Sequence, residues 1–414
     1  MKTNFVIPSW SYWKEPLRAQ PLTQLYLATI LEEKGIQSDF TDFRAGPRDV
    51  KEADIYFYTV ASPDLKETRN IAFKIREKYP NSIHVAGGPH PTIQPEMTFG
   101  FETVVVGKGE EAILQIIRDY PNVKSRYQIE ATGSYPFPRR HFIPKKHIVN
   151  DNLFKTDKIR STTAQFSFGC PFSCSFCANY GDKKIRRNSL EQVSKEIDYL
   201  KSGYGIEGLS LQDEIAIPLN PTEAEDYLDM LTSKDIKWRG QIRVLRNKDI
   251  LRQAKESGLV ELSFGLESVD QRVLDMTHKH IDINNVEYMI KACKELDIKT
   301  RLYLLNGLPG ERNNIVKKTK QFIDRNEPDV VLLSSLQPYP GSPIAENPKQ
   351  YNIKYISKNY DKFNHILCRY ENSKDDIENA VPYEFEKGKG LSRKQIMNNL
   401  LELQDFLRER GLNK

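Results

Sequence analysis

The sequence predicts an α/β protein built from two successive strand–helix series and a helical tail. Apolar runs of strand length alternate with amphipathic stretches through the first ~120 residues, and the same alternation returns over roughly 160–340. The last ~65 residues close on one more amphipathic stretch. In the first series, 4–8 reads as a strand. Residues 22–34 place Leu22, Leu25, Tyr26, Ile30 and Leu31 at helical spacing, with Gly35 as the stop signal. Residues 36–40 and 55–60 are the next strands, and 65–79 carries Ile71, Ala72, Ile75 and Tyr79 on one helical face. The run 82–86 leads into Gly87-Gly88, and 103–106 leads into Gly107 before a helix from Glu110. Apolar strands alternating with helices argue for a parallel sheet covered on both faces. Its ligands gather beyond the strand C-termini, where Gly87, Gly88 and Gly107 lie. Residues 1–120 are therefore expected to form a Rossmann-like domain.

Residues 121–159 break the pattern. Tyr135-Pro136-Phe137-Pro138-Arg139-Arg140 and Ile143-Pro144-Lys145-Lys146 read as a basic connector punctuated by proline. The second series has strands at 164–168, 208–212, 240–244, 261–265, 299–305 and 330–336, with helices such as 189–202 (Ser189 as N-cap), 248–257 and 284–296 between them. Six such units over 160–345 suit a partial or complete (βα)6 barrel of the TIM type, with its chemistry at the strand C-termini. The remaining 346–414 read as an α-rich segment capping the substrate side. Its helix, 392–410, carries the stripe Ile396, Leu400, Leu403 and Phe406.

Composition narrows the function. Hydrophobic residues at 39% and charged residues at 28% suit a globular chain of 414 residues. The net charge of +5 balances 61 basic against 56 acidic residues. The densest basic run, Lys183-Lys184-Ile185-Arg186-Arg187, suits a solvated face or an anionic ligand better than a nucleic-acid footprint. No apolar run approaches the roughly 18–20 residues of a membrane span. The N-terminus reads as a strand and not as a secretory signal, so a cytoplasmic protein is expected. Of five cysteines, Cys170, Cys174 and Cys177 fall close together while Cys293 and Cys368 stand alone. That is a metal-site pattern and not a disulfide framework.

The triplet Gly169-Cys170-Pro171-Phe172-Ser173-Cys174-Ser175-Phe176-Cys177 follows a predicted strand with the spacing CxxxCxxC. A structural zinc site takes four ligands and a ferredoxin cluster four thiolates, and no second knuckle is present. Three thiolates leave one metal position open for a ligand. The triplet, with Phe176 before its last cysteine, resembles the signature of the radical S-adenosylmethionine (SAM) superfamily. The resemblance implies a 4Fe–4S cluster on Cys170, Cys174 and Cys177, with SAM on the fourth iron. Reductive cleavage of SAM then yields a 5′-deoxyadenosyl radical that takes hydrogen from an unactivated carbon. Ser210-Leu211-Gln212-Asp213-Glu214 stands where the family meets the SAM amino group, a contact that falls to Asp213 or Glu214. Phe264-Gly265-Leu266-Glu267-Ser268 resembles the GxES segment beside the SAM ribose and amino-acid portion. Arg243 is placed to pair with the SAM carboxylate. Leu305-Asn306-Gly307-Leu308-Pro309-Gly310-Glu311 and Gln337-Pro338-Tyr339-Pro340-Gly341-Ser342-Pro343 resemble the family's turns after the fifth and sixth strands.

The N-terminal domain resembles that of the cobalamin-binding subfamily through Pro21-Leu22-Thr23-Gln24-Leu25-Tyr26-Leu27-Ala28, Gly87-Gly88-Pro89-His90-Pro91-Thr92 and Gly107-Lys108-Gly109-Glu110-Glu111. Small residues in these loops would admit a corrin ring and its nucleotide tail, with His90 on the tail or capping the loop. The chain departs from the pattern at Thr23-Gln24 and Lys108, and it has no DxHxxG to offer cobalt a histidine. Trp10, Tyr12 and Trp13 either press on the corrin or fill its space. The resemblance implies cobalamin-dependent C-methylation. The alternatives are a radical SAM enzyme with an empty cobalamin-like domain (dehydration, epimerisation, cyclisation or ring contraction) and a non-catalytic iron–sulfur protein. Methylthiolation is disfavoured, because no cysteine precedes Cys170. Implied partners are a small-molecule or peptide substrate and a one-electron reductant such as flavodoxin or ferredoxin. Cys293 reads as a core thiol. Cys368 near His365 and Tyr370, Tyr180 beyond the triplet, and His278 and His280 around Lys279 read first as structural or surface residues.

Overall fold

The computed structural model describes residues 1–10, 13, 15–130, 136–154, 158–178, 183–360, 363 and 381–413. Tyr12, Tyr135, Tyr180, His365, Cys368 and Tyr370 lie outside them. The chain divides into two compact units, Met1–Ile148 and Val149–Lys414.

The first unit runs β1 (Thr3–Ile7), α1 (Leu22–Glu32), β2 (Ser38–Asp42), β3 (Ile55–Thr59), α2 (Leu65–Lys78), β4 (Ile83–Gly87), α3 (Pro89–Ile93), β5 (Thr103–Val105), α4 (Glu110–Asp119) and β6 (Arg126–Tyr127). All six strands are parallel in the order β2-β1-β3-β4-β5-β6. The order reverses at β1, so the crevice for a ligand opens beyond the C-terminal ends of β1 and β3. Phe5 stacks on Phe40 and Phe57 at 5.3 and 5.2 Å, within a core that includes Leu31, Ile55, Val85 and Ile113. The stretch after Tyr120 shows no strand pattern in sequence, yet it adds β6 and stacks Phe142 on Phe40 at 5.3 Å.

The second unit runs β7 (Ser161–Ala164), β8 (Ser167–Phe168), β9 (Arg186–Arg187), α5 (Leu190–Tyr204), β10 (Gly208–Leu211), α6 (Pro221–Lys234), β11 (Lys237–Ile242), α7 (Lys248–Glu256), β12 (Leu259–Glu267), α8 (Gln271–Met276), α9 (Ile283–Glu295), β13 (Lys299–Asn306), α10 (Ile315–Asn326), β14 (Val330–Ser335), α11 (Pro343–Glu346), β15 (Ile353–Ile356), β16 (Tyr383–Phe385) and α12 (Arg393–Glu409). Its main sheet is parallel in the order β14-β13-β12-β11-β10-β7, an open six-stranded half-barrel. The first barrel strand lies earlier than the expected 164–168. The ladder to β10 ends where Ala164 pairs with Leu211. Beyond it, the Asp213 carboxylate accepts from the Phe166 N–H (3.2 Å) and the Ser167 hydroxyl (2.5 Å). The chain therefore leaves the sheet and forms the short antiparallel pair β8–β9.

Alternation along the barrel strands separates two faces. Leu209, Leu211, Trp238, Leu262, Phe264, Leu302 and Val331 are buried in the core they share with the helices. The opposite, inner face carries Thr163, Ser210, Gln241, Ser263, Tyr303 and Ser334. Closed barrels line that face with branched aliphatic side chains, whereas here it is polar, with Thr163, Ser210 and Ser263 buried. Ser189 caps α5 in a full capping box, as its position predicts. Ile396, Leu400, Leu403 and Phe406 of α12 are buried, and Asn306 Nδ2 donates to Ile396 O at 2.8 Å, tying the tail helix to β13. Among the described residues no helix is long and apolar enough to cross a membrane.

Candidate active site

The cysteine loop is strung between β8 and β9, so the small hairpin fixes both of its ends. Between them, Ser175 N donates to Thr277 O at 2.9 Å and Ile344 N to Ser175 O at 3.0 Å. Lys183 Nζ reaches Phe172 O at 3.1 Å. None of the cysteines in this loop is in a disulfide. The Cys177 thiol is pushed up to about 11 by its crowded surroundings and then by neighbouring Cys174, Cys170 and Glu267, with Lys279 opposing. Among the described residues, no three His, Cys, Asp or Glu side chains gather on a point where one metal ion would sit.

The adjacent acids Asp213 and Glu214 face opposite ways. Asp213 is buried, committed to Phe166 and Ser167, and 3.9 Å from Arg187. Glu214 is open, and crowding by protein raises its pKa while the Gly169 N–H beside the first cysteine lowers it. Of the two, only Glu214 is left for a ligand at the loop.

Arg243 emerges just past β11 with its guanidinium 3.7 Å over the Phe172 ring. Its Nη2 donates to the carbonyls of Lys279 and His280, the latter at 2.9 Å. This grips a segment in which His278 (φ 53°) and His280 (φ 49°) are both left-handed, a conformation that costs a non-glycine residue about 1–3 kcal/mol. The strained segment turns Lys279 inward. Lys279 Nζ lies 2.8 Å from Glu267 Oε1 and 5.8 Å from the Phe176 ring centre. Glu267 is itself left-handed (φ 65°), where the register between β12 and β13 shifts. Glu267, Lys279, Arg243 and Phe176 thus come together beside the cysteines. Lys279 is the residue the sequence did not single out. It lies in a turn with no pattern of its own, and its flanking histidines, both exposed, are the more conspicuous residues. In the turn after β13, Glu311 accepts from Gly307 N at 2.9 Å and is pushed up to about 8 by burial, so it braces that turn from within.

The first unit presents its own edge. Gly88 follows β4 with φ 103°, and a Cβ there would lie 3.0 Å from Thr59 Cγ2 and 3.1 Å from Val60 N. Thr92 Oγ1 donates to Gly88 O (2.7 Å) and accepts from Gly107 N (3.0 Å), joining the two glycine loops. Gly87 ends β4, and the space around Gly107 is open. His90 is buried, its N–H donating to Val60 O, with Nδ1 3.0 Å from Ser62 Oγ. Burial, then Arg69, lowers its pKa to about 4, so it is neutral and braces the loop. Trp10, past β1, packs under Arg44 at 4.6 Å and beside Trp13 at 5.8 Å. Close backbone at Gly88, open space at Gly107 and an aromatic pair beyond β1 fit a flat ring at this edge. Gly88→Ala should destabilise the protein by about 1–3 kcal/mol through its left-handed backbone and the Thr59–Val60 contacts, read by urea unfolding, and it should lower cobalamin retention.

Residues 16–117 match the B12 binding domain, and residues 165–323 match the radical SAM superfamily. Over 388 residues the chain is 26% identical to an uncharacterised methyltransferase of Pyrococcus horikoshii, covering 84% of this chain and 82% of that protein. It is 24% identical over 348 residues to the anaerobic magnesium-protoporphyrin IX monomethyl ester cyclase of Cereibacter sphaeroides, covering 76% of this chain and 55% of the cyclase. Among solved structures, the radical S-adenosylmethionine methyltransferase TsrM from Kitasatospora setae, with cobalamin and a 4Fe–4S cluster bound, shares the fold. The TM-score is 0.69 at 18% identity, over 84% of this chain and 78% of that one. The chain carries a B12-binding domain followed by a radical SAM domain.

Proposed function

We propose that this chain is a cobalamin-dependent radical SAM C-methyltransferase, acting in the cytoplasm on a small molecule or peptide with a one-electron reductant such as flavodoxin or ferredoxin. The observation that carries the reading is the pairing, on one chain, of a B12-binding domain with a half-barrel whose cysteine loop is ringed by Glu214, Arg243, Glu267 and Lys279. When bound, the cluster and SAM supply the hydrogen-abstracting radical and cobalamin supplies the methyl group. The protein binds and orients them. Cys170, Cys174 and Cys177 hold the cluster, and Phe176 packs beside it. Glu214 meets the amino group of SAM, Glu267 its ribose hydroxyls, and Arg243 with Lys279 its carboxylate, a cation pair suited to that anion. Gly87, Gly88 and Gly107 admit the corrin, with His90 bracing their loop. In this scheme 1–120 binds cobalamin, 121–159 connects, 160–345 forms the barrel and 346–414 covers the substrate, excluding water from a reactive radical.

The test is cobalt per chain after anaerobic cluster reconstitution, incubation with hydroxocobalamin and desalting. Near-stoichiometric cobalt, with both 5′-deoxyadenosine and S-adenosylhomocysteine formed from SAM, is the expected result. An intact cluster that retains no cobalt would sink the methyltransferase reading. The similarity to a cyclase favours a second reading, a radical reaction without methyl transfer. Deoxyadenosine without S-adenosylhomocysteine would select it.

A further inference from the structure

The cysteine loop hangs from a hairpin too short to hold itself. β8 and β9 contribute two residues each, with Ser167 opposite Arg187 and Phe168 opposite Arg186, and an isolated two-stranded hairpin is marginal even at greater length. What fixes it is the segment just past β10. The Asp213 carboxylate meets both members of one hairpin pair, Ser167 Oγ at 2.5 Å and Arg187 Nη1 at 3.9 Å, and it also accepts from Phe166 N at 3.2 Å. Arg187 Nη1 and Nη2 then donate to Ala216 O and Ile215 O, both at 3.0 Å. The Asp213 side chain is fully buried and that of Arg187 is 15% exposed. Burial raises the Asp213 pKa to about 6, with Ser167, the Phe166 N–H and Arg187 opposing, so the group is an anion at neutral pH. A buried ion pair does little for stability, because desolvation offsets the attraction, and its best-attested use is to fix register. The register at stake here joins two neighbours. Asp213 straps Phe166 and Ser167, while Glu214, facing the other way, takes the Gly169 N–H just before Cys170. Two consecutive carboxylates thus hold the stretch of chain that enters the cysteine loop.

We infer that Asp213 is a positioning residue for SAM cleavage: through Ser167 and Arg187 it sets the cysteine loop in register with Glu214. The inference rests on the radical SAM reading above, which gives the cluster to the loop and the SAM amino group to Glu214. Asp213 is spent on the hairpin and acts at second hand. The anchors at Thr277 and Ile344 hold the middle of the loop through Ser175, which leaves its entry to the two carboxylates. Misplacing a reacting group by about 1 Å can cost on the order of a hundredfold in rate, so a clasp that only sets register still bears on the chemistry.

The test is the SAM affinity of the anaerobically reconstituted full chain, read by the change SAM makes in the electron paramagnetic resonance signal of the reduced cluster. Asp213→Asn keeps the shape of the clasp without its charge, and the milder Ser167→Ala removes one arm of it. Each should retain iron and weaken SAM by at least about tenfold. The double variant Asp213→Asn/Glu214→Gln separates positioning from general support. If Asp213 acts by aligning Glu214, the double variant binds SAM no more weakly than Glu214→Gln alone, whereas a merely structural role adds the two losses. A second readout needs no cofactor. Alkylation of Cys170, Cys174 and Cys177 in the cluster-free protein, followed by mass spectrometry with buried Cys293 as the reference, should quicken several-fold in Asp213→Asn and Ser167→Ala. Wild-type SAM affinity in both single variants, additive losses in the double variant, or unchanged alkylation overturns the inference. A wild-type cluster whose signal SAM leaves unaltered would instead overturn the radical SAM reading, and with it the link to SAM, while alkylation reports on the clasp in either case.

Discussion

Cys174→Ala is expected to abolish cluster retention and reductive SAM cleavage together, leaving deoxyadenosine at background, while the protein remains folded. The argument is one of ligand number. Cys170, Cys174 and Cys177 are three thiols on one loop anchored at β8–β9, Thr277 and Ile344, with no fourth cysteine of that loop in reserve. A cluster held by three thiolates cannot lose one and keep a site for SAM at its remaining iron. The loop's backbone anchors do not use the Cys174 sulfur, so the fold should survive. Cys293→Ala is the matched control. That thiol is buried on α9, its pKa pushed up to about 12 by burial. Its loss should cost about 1 kcal/mol as a small cavity without changing iron content or SAM cleavage. Iron and sulfide analysis with the deoxyadenosine assay decides. If the Cys174 variant keeps its cluster and activity, the triplet is not the ligand set.

What was legible beforehand depended on how local the determining contact is. The triplet and the segment ending in Glu267 could be read because their chemistry sits in consecutive residues. Asp213 and Glu214 could not be told apart, because which of two neighbouring acids turns inward is set by Ser167 and Phe166, 46 and 47 residues away. The same bond explains the misplaced first barrel strand. Residues 164–168 look like a strand, and a distant carboxylate peels them from the sheet. Lys279 was hidden for a related reason. Its position depends on two left-handed histidines and on Arg243 gripping their segment, features of backbone geometry that residue type does not announce. The inner polar face, by contrast, is visible as strict alternation in Trp238-Arg239-Gly240-Gln241-Ile242 once the strand is placed.

Gly265→Ala should leave the fold nearly intact and reduce SAM affinity by at least about tenfold, the loss of one charge-assisted contact or more. A Cβ at Gly265 would fall 1.9 Å from Glu267 Oε1 and 2.7 Å from Lys279 Nζ. Both atoms are the far ends of flexible side chains, so they can move aside, and β12 itself need not shift. What cannot survive is the arrangement. The Glu267–Lys279 pair is about nine-tenths buried, and either group displaced from its partner loses an interaction its surroundings do not replace. One methyl group thus separates the cofactor site from the barrel that carries it. Glu267→Gln and Lys279→Met provide the comparison: if the pair holds SAM, all three variants should bind it weakly while retaining the cluster, and the two that remove a partner should also unfold at lower temperature. Tight SAM binding in Gly265→Ala would mean that Glu267 and Lys279 hold each other and not the cofactor. The carboxylate would then fall to Arg243 alone, whose backbone bonds to Lys279 and His280 already occupy one of its terminal nitrogens.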